Sequence, residues 1–250
     1  MNNNIIYLTD SYKTGHFSQY PKGTTKIGSY LESRQTDRET IFFGLQYIIK
    51  EHLEGKVFTP EDIEEAKEFY YSHFGRDDCF NYKSWKRMYE KYEGQLPIKI
   101  RAVPEGTLVP GSNVLMTVEN TDPEFFWLTN YVESLLVQLW HPITIATNSS
   151  EIRSLVLEFL SDTSDKDKES INGIANFMCH DFGFRGVSSV ETAGVGGAAH
   201  LLSFKGTDNI KSIRTLQEYY GADMPSNSIP ASEHSTITAW GEEGELDAFE

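Results

Sequence analysis

The sequence predicts an α/β chain in two parts, an α+β region over residues 1–140 and the opening strands and helices of a parallel sheet or barrel over residues 141–250. Three observations predict it. The hydrophobic period changes from helical to alternating near Pro97, the stretch from Phe125 to Trp140 is apolar nearly all round, and after Pro142 short apolar runs alternate with helical stretches.

Taken in order, TPEDIEEAKEFYYSHF predicts a surface helix: Thr59 is suited to cap it, Pro60 to its first position and Asp62 to the reciprocal cap, with Ile63, Ala66, Tyr70 and Phe74 on one face. KSWKRMYEKYEG predicts a second helix, ended by Gly94. In the following segment Ile98, Ile100 and Ala102 alternate, and Pro104-Glu105-Gly106 and Pro110-Gly111 supply turns, so short antiparallel strands are expected. Asp122-Pro123 opens the apolar helical stretch, which is expected to lie buried between layers and to join the two parts. Beyond it, ITIAT, ANFMCHDF and NSIPAS are read as strands, and SSEIRSLVLEFL, VETAGVGGAAHLLSF and IRTLQEYYG as helices, the alternation of a parallel sheet or barrel. SDTSDKDKES reads as a surface loop.

The balance of 22 Lys+Arg against 37 Asp+Glu, a net charge of −15, excludes a nucleic-acid or acidic-membrane surface, which needs basic patches to displace counterions. Cys79 and Cys179 are too few and too far apart for a zinc ribbon or a disulfide framework, and a reducing, cytoplasmic setting is expected. MNNNIIYLTDSYK lacks the basic and apolar regions of an export signal, and no apolar run reaches a membrane span, so neither export nor a membrane partner is expected. GVGGAA is not a dinucleotide loop, because the third glycine is missing at the required spacing and the run falls inside a helix; small residues for close helix packing explain it. GxxxxGK[ST], GxSxG and HExxH are absent.

Three places carry chemistry. In His180-Asp181-Phe182-Gly183-Phe184-Arg185-Gly186, Arg185 offers a planar fork of donors for phosphate oxygens and Phe182 a flat face for a ring; a salt-bridged arginine between two core phenylalanines would produce the same letters. In Phe204-Lys205-Gly206-Thr207-Asp208, the carboxylate of Asp208 can accept hydrogen bonds from an amide NH2 and would repel a ligand carboxylate; equally, Thr207 or Asp208 can cap the helix that follows. In IPASEHSTITAW, His234 can serve as acid, base or phosphoryl acceptor with Glu233 orienting it, although an isolated histidine is more often structural.

Read as strings, LTDSYKTGHFSQYPKGTTKIGSYLESR, FFGLQYIIKEHLEGKV, LPIKIRAVPEGTLVPGSNVLMTVENTDPEFFWLTNYVESLLVQLWHPITIATNS, HDFGFRGVSSVETAGVGGAAHLLSFKGTD and IPASEHSTITAWG resemble the nicotinamide phosphoribosyltransferase family, including its bacterial and phage members. The resemblance covers nearly the whole chain in ordered, uninterrupted blocks. It implies a type II phosphoribosyltransferase: an α+β N-terminal domain over 1–140 and, over 141–250, the first part of an α/β barrel, left incomplete. It also implies a homodimer with active sites at the subunit interface. The implied reaction joins nicotinamide to 5-phosphoribosyl-1-pyrophosphate, with Mg²⁺, giving nicotinamide mononucleotide and pyrophosphate in NAD salvage.

By the same resemblance, Phe182 stacks on the nicotinamide ring and Tyr12 of a partner subunit covers its other face. Arg185 meets the phosphates, Asp208 receives the amide, and His234 contacts pyrophosphate and becomes phosphorylated when ATP hydrolysis is coupled to synthesis. Arg34, in YLESR, belongs to a block used near the phosphate end. No protein-held metal ligand is implied.

Family members run well beyond these 250 residues. The expectation is therefore a split or shortened chain, active with a complementing C-terminal chain, or a non-catalytic remnant that binds ligand or dimerises; nicotinate phosphoribosyltransferase is the alternative activity. Exposed strand edges and apolar helix faces would accompany an incomplete barrel.

Overall fold

The computed structural model describes residues 4–249; residues 1–3, the start of the stretch read above for an export signal, and residue 250 lie outside the described residues. After 3-10 helical segments over Ile5–Tyr7 and Ser11–Ser18 come the first strands, β1 (Gly28–Glu32) and β2 (Glu39–Ile41). Helix α1 (Leu45–Ile48) runs directly into a π-helical turn over Ile49–Leu53. Next come α2 (Pro60–Phe74), α3 (Tyr82–Tyr92), β3 (Ile98–Ala102), β4 (Leu108–Pro110) and β5 (Val114–Asn120). After them the described chain is helical apart from connections: α4 (Leu128–Tyr131), α5 (Glu133–Val137), α6 (Trp140–Thr163), α7 (Lys168–Ala175), α8 (Val190–His200), α9 (Ile210–Tyr220) and α10 (His234–Thr238).

The capping box of α2 forms as its sequence requires: Thr59 accepts from the Asp62 amide while the Asp62 carboxylate accepts from Thr59 N–H at 2.8 Å, and Gly75 closes the helix in the left-handed region. Ile63, Ala66 and Tyr70 are buried on the expected face. α3 ends with Glu93 and Gly94 both at positive φ. β5 is the central strand of an antiparallel sheet in the order β1-β5-β3, with Tyr30 opposite Thr117 and Ile100 opposite Val118, while β2 pairs with β4 in a separate ribbon. Ile98 and Ile100 are half-buried as the alternation requires; Ala102, at the strand's end, is exposed.

The main core gathers Trp85, Met88, Phe125, Leu128, Tyr131 and Leu136 with Ile5, Ile6 and Phe58. The apolar stretch after Asp122-Pro123 supplies much of it. It is built as successive short helices, not one long one. A second, smaller cluster, with Ile41, Phe43, Ala146, Ala198, Ala199 and Leu216, packs α6, α8 and α9 together. The GVGGAA run lies inside α8, where the small residues allow close approach: a methyl added at Gly194 would meet Thr215 Oγ1 at 2.6 Å.

Two sequence expectations are corrected. ITIAT is not a strand: it sits inside α6, because Ile143, Ala146 and Thr147 recur at helical spacing and bury one face, which outweighs the strand preference of β-branched residues. ANFMCHDF and NSIPAS do not extend into strands either. Their segments meet the FKGTD segment in two isolated parallel bridges, Asp181 with Thr207 and Gly206 with Asn227. Ladders do not spread because flanking amides are taken by side chains: Gly183 N–H by Asp181 at 2.7 Å and Asn209 N–H by Thr207 at 3.0 Å. The parallel order 181–207–227 is nevertheless the start of a parallel arrangement with α8 and α9 as crossovers. Of SDTSDKDKES, only Ser164–Asp167 is loop, since α6 runs to Thr163 and Asp167 caps α7.

Candidate functional site

The three parallel segments bring His180, Asp208 and Ser228 to one point. His180 Nε2 lies 3.0 Å from Asp208 Oδ1, and the Ser228 hydroxyl donates to the same oxygen. Asp208 Oδ2 has no hydrogen-bond partner among the described residues. The Ser228 hydroxyl first, and His180 second, hold the Asp208 carboxyl below the usual carboxylate range. An ionised acceptor with one oxygen open is the result. The capping alternative for this residue is overturned: α9 is capped by Asn209, whose side chain accepts from the Ser212 amide.

Behind this point Asp181 acts as a hub. One carboxylate oxygen accepts from Gly183 N–H, the other from Thr207 Oγ1 at 3.2 Å and Asn209 Nδ2 at 3.1 Å, and its backbone carbonyl accepts from Asp208 N–H at 3.0 Å. Asp181 thereby fixes both the turn that carries Phe182 and the backbone that carries Asp208. Two glycines make room. A methyl at Gly206 would meet His180 Nδ1 at 2.5 Å, and one at Gly197 would meet Ser212 Cβ, Asn209 Nδ2 and Asp181 Oδ2 at 2.5–2.8 Å.

Phe182 leans over the His180 imidazole, ring centres 4.7 Å apart, and is 68% exposed. Phe184 is exposed too, and Arg185, in a 3-10 turn over Gly183–Gly186, has no ion-pair partner among the described residues. The alternative of a salt-bridged arginine between core phenylalanines is therefore excluded. Phe182 and Phe184 are left as exposed rings and Arg185 as an exposed guanidinium on the turn that follows His180 and Asp181.

The other expected residues are not in contact with this cluster among the described residues. Tyr12 is 60% exposed in a 3-10 segment, its ring edge-on to His16. Arg34 is exposed on the connection between β1 and β2; the arginine that is held there is Arg38, which donates to Glu151 and Asn148 of α6. His234 opens α10 and is paired with Glu233 at 2.8 Å, while Glu233 also accepts from Ser235 N–H as the helix cap. Both side chains are largely exposed.

Sequence reading passed over Asp181, His180, Ser228 and Asn209. The signal available is adjacency, of His180 and Asp181 to Phe182 and of Asn209 to Asp208, whereas Ser228 joins the site solely through the fold.

Comparison with known proteins places the chain. A family model described as the nicotinamide phosphoribosyltransferase N-terminal domain matches residues 4–100, and one described as the nicotinate phosphoribosyltransferase family matches residues 177–250. The nicotinamide phosphoribosyltransferase of Xanthomonas campestris pv. campestris is 47% identical over 98% of this chain, and that of Acinetobacter baylyi 34% identical over 98%, each alignment covering 51% of the relative. The chain spans about half the length of these curated relatives. In fold it is similar to the crystal structure of human nicotinic acid phosphoribosyltransferase, with a TM-score of 0.63 at 17% identity over 93% of this chain and 40% of that one.

Proposed function

Because this chain belongs to the nicotinamide phosphoribosyltransferase family, we propose that it takes part in forming nicotinamide mononucleotide and pyrophosphate from nicotinamide and 5-phosphoribosyl-1-pyrophosphate, a step of NAD salvage. The observation that carries this reading is the open Oδ2 of Asp208 together with the exposed ring of Phe182, both residues meeting His180. A pyridine ring stacked on Phe182 would present its carboxamide N–H to Asp208, which directs the ring nitrogen away from the carboxylate and toward the ribose. That nitrogen attacks C1 of the ribose while the bond from C1 to the pyrophosphate oxygen breaks, and the leaving group departs with its electron pair. Arg185 is read as the donor to phosphate oxygens, and His234, held by Glu233, as the group at the pyrophosphate. Arg34 is read as a further phosphate contact. The net charge of −15 is no obstacle, since these few donors set the local field.

In the same reading Tyr12 is contributed across a homodimer to the free face of the ring, and further protein, as a second copy or a complementing chain, completes the phosphate end. Magnesium arrives bound to the substrate's pyrophosphate. Among the described residues no three His, Cys, Asp or Glu side chains converge as a metal cage, so no step is assigned through it. ATP acts by phosphorylating His234. A cytoplasmic setting belongs to the reading; Cys79 and Cys179 are both free thiols, and no described helix is long and apolar enough to cross a membrane.

Nicotinic acid as the substrate is disfavoured by an ionised Asp208, which would face the ligand's carboxylate. The test is mononucleotide formation by the purified chain from nicotinamide, phosphoribosyl pyrophosphate and Mg²⁺, with and without ATP, alongside saturation-transfer NMR of nicotinamide. Binding lost in Asp208→Asn and Phe182→Ala is expected; nicotinamide bound equally by both variants would overturn the assignment.

A further inference from the structure

A second concave region has a lining that includes none of Asp208, Phe182 and Arg185, although Val187 and Ser188 of its wall directly follow the turn that carries Arg185. Its volume is about 490 Å³, within the range of small-molecule sites, and it opens between α1, the start of α6 and the first turn of α8. We propose that this cavity is a binding site for a small organic ammonium cation with an aromatic or alkyl body. The inference does not depend on the reaction proposed above.

The lining carries the argument. Ile48, Pro142 and Val195 provide apolar wall and Trp140 and Tyr47 provide rings; among the described residues Glu191 is the one carboxylate of the lining and no lysine or arginine belongs to it, Lys211 acting on Glu191 from outside the lining. Tyr47 donates its hydroxyl to Glu191 Oε1 at 2.8 Å, and His52 Nε2 stands 3.8 Å from the same oxygen. Oε2 has no hydrogen-bond partner among the described residues. The His52 contact first, then the Tyr47 hydroxyl and the nearby Lys211 charge, outweigh burial and keep the Glu191 carboxyl below its usual range, so Glu191 itself is ionised at neutral pH.

Trp140 opens α6 with 61% of its surface exposed, and its recorded ring contact is edge-on to His141. The indole face is therefore available, which is costly in water and favourable over a cation. His141, the other titratable side chain on the wall, is packed against α8, where a methyl added at Gly196 would sit 3.0 Å from its Nε2. A carboxylate with one oxygen open, an indole face and apolar wall match an ammonium head on an apolar body. An anion of the same size would meet Glu191, and a neutral analogue would forgo both the charge-assisted hydrogen bond and the cation–π contact.

The experiment uses the full chain and phenethylammonium as probe, titrated at neutral pH by calorimetry and by tryptophan fluorescence. 2-Phenylethanol and phenylacetate are the neutral and anionic controls. The cation is expected to bind at least about tenfold more tightly than either control, with a loss of about tenfold or more in Glu191→Gln. A loss of about threefold or more is expected in Trp140→Ala, whose side chain is exposed and whose removal leaves the core intact. Asp208→Asn, at a residue outside the lining, is expected to bind the probe as the parent does. Equal binding of the three compounds, unchanged affinity in a Trp140→Ala chain of native circular dichroism, or no binding of the cation at about 10 mM would each overturn the proposal.

Discussion

His180 Nε2 and Asp208 Oδ1 meet at 3.0 Å although 28 residues separate them along the chain. That contact joins the two motifs that carry the site, and with the Ser228 hydroxyl on the same oxygen it decides which oxygen of Asp208 remains available.

Ser228→Ala removes the first of the two contacts that depress the Asp208 carboxyl. The folded-state pKa is expected to rise toward the ordinary carboxylate value, read by carboxyl-carbon NMR titration. A depressed pKa means that the stabilisation is present above the unfolded carboxyl's pKa and is lost as pH falls through the folded value. The variant should therefore lose less of its stability between pH 5 and pH 3 than the parent.

Asp208→Ser exchanges a negative charge for a small hydroxyl at the position proposed to receive the amide. On that proposal, a preference for nicotinamide over nicotinic acid is expected to fall by about tenfold or more, measured as the ratio of affinities in competition. An unchanged ratio would remove the argument from charge.

Gly197→Ala places a methyl within 2.5–2.8 Å of Ser212, Asn209 and Asp181 at once, in a helix face with no room to yield. A loss of about 1–3 kcal/mol in denaturant unfolding is expected, together with weakened ligand binding, because Asp181 and Asn209 are displaced. Gly186→Ala, where nothing lies within 4 Å, is the control and should be near neutral.

Asp122 is buried at the junction of β5 with the apolar helices, and burial alone would raise its pKa. Hydrogen bonds from Lys91 and from Tyr92 at 2.6 Å outweigh that and hold it at about 2. Its contribution, of order 2 kcal/mol, is present above the unfolded carboxyl's pKa and is lost as pH falls toward 2. Asp122→Asn should lower stability at pH 7 and flatten the acid limb of a stability-against-pH curve.

Thr59→Ala opens the capping box of α2 and is expected to cost about 1 kcal/mol, seen as a lower thermal midpoint with unchanged ligand binding.

Much was legible in the letters because the determinants are local. Thr59, Pro60 and Asp62 specify a helix start within one turn, and the small residues of GVGGAA announce a closely packed helix. Phe182, Arg185, Asp208 and His234 stood out as chemistry-bearing types beside turn residues, and Glu233 as the neighbour of His234. ITIAT was misread because its β-branched letters fit either period, and only the burial of Ile143, Ala146 and Thr147 on one face separates them. Nothing within the segment tells that Arg38 is the arginine held over α6, by Glu151 and Asn148, while Arg34 stays exposed.

The sequence by itself determined the α/β class, the individual helices and the side chains able to hold a ring, an amide and phosphates, since propensity, capping and periodicity act over a few neighbouring residues. Only the tertiary structure decided that His180, Asp208 and Ser228 converge, that Asp181 holds the turn beneath Phe182, and that Glu191 faces Tyr47 across 144 residues of chain. Such convergence depends on which helix packs on which segment, and that follows from burial of side chains far apart in sequence, a property no short stretch contains.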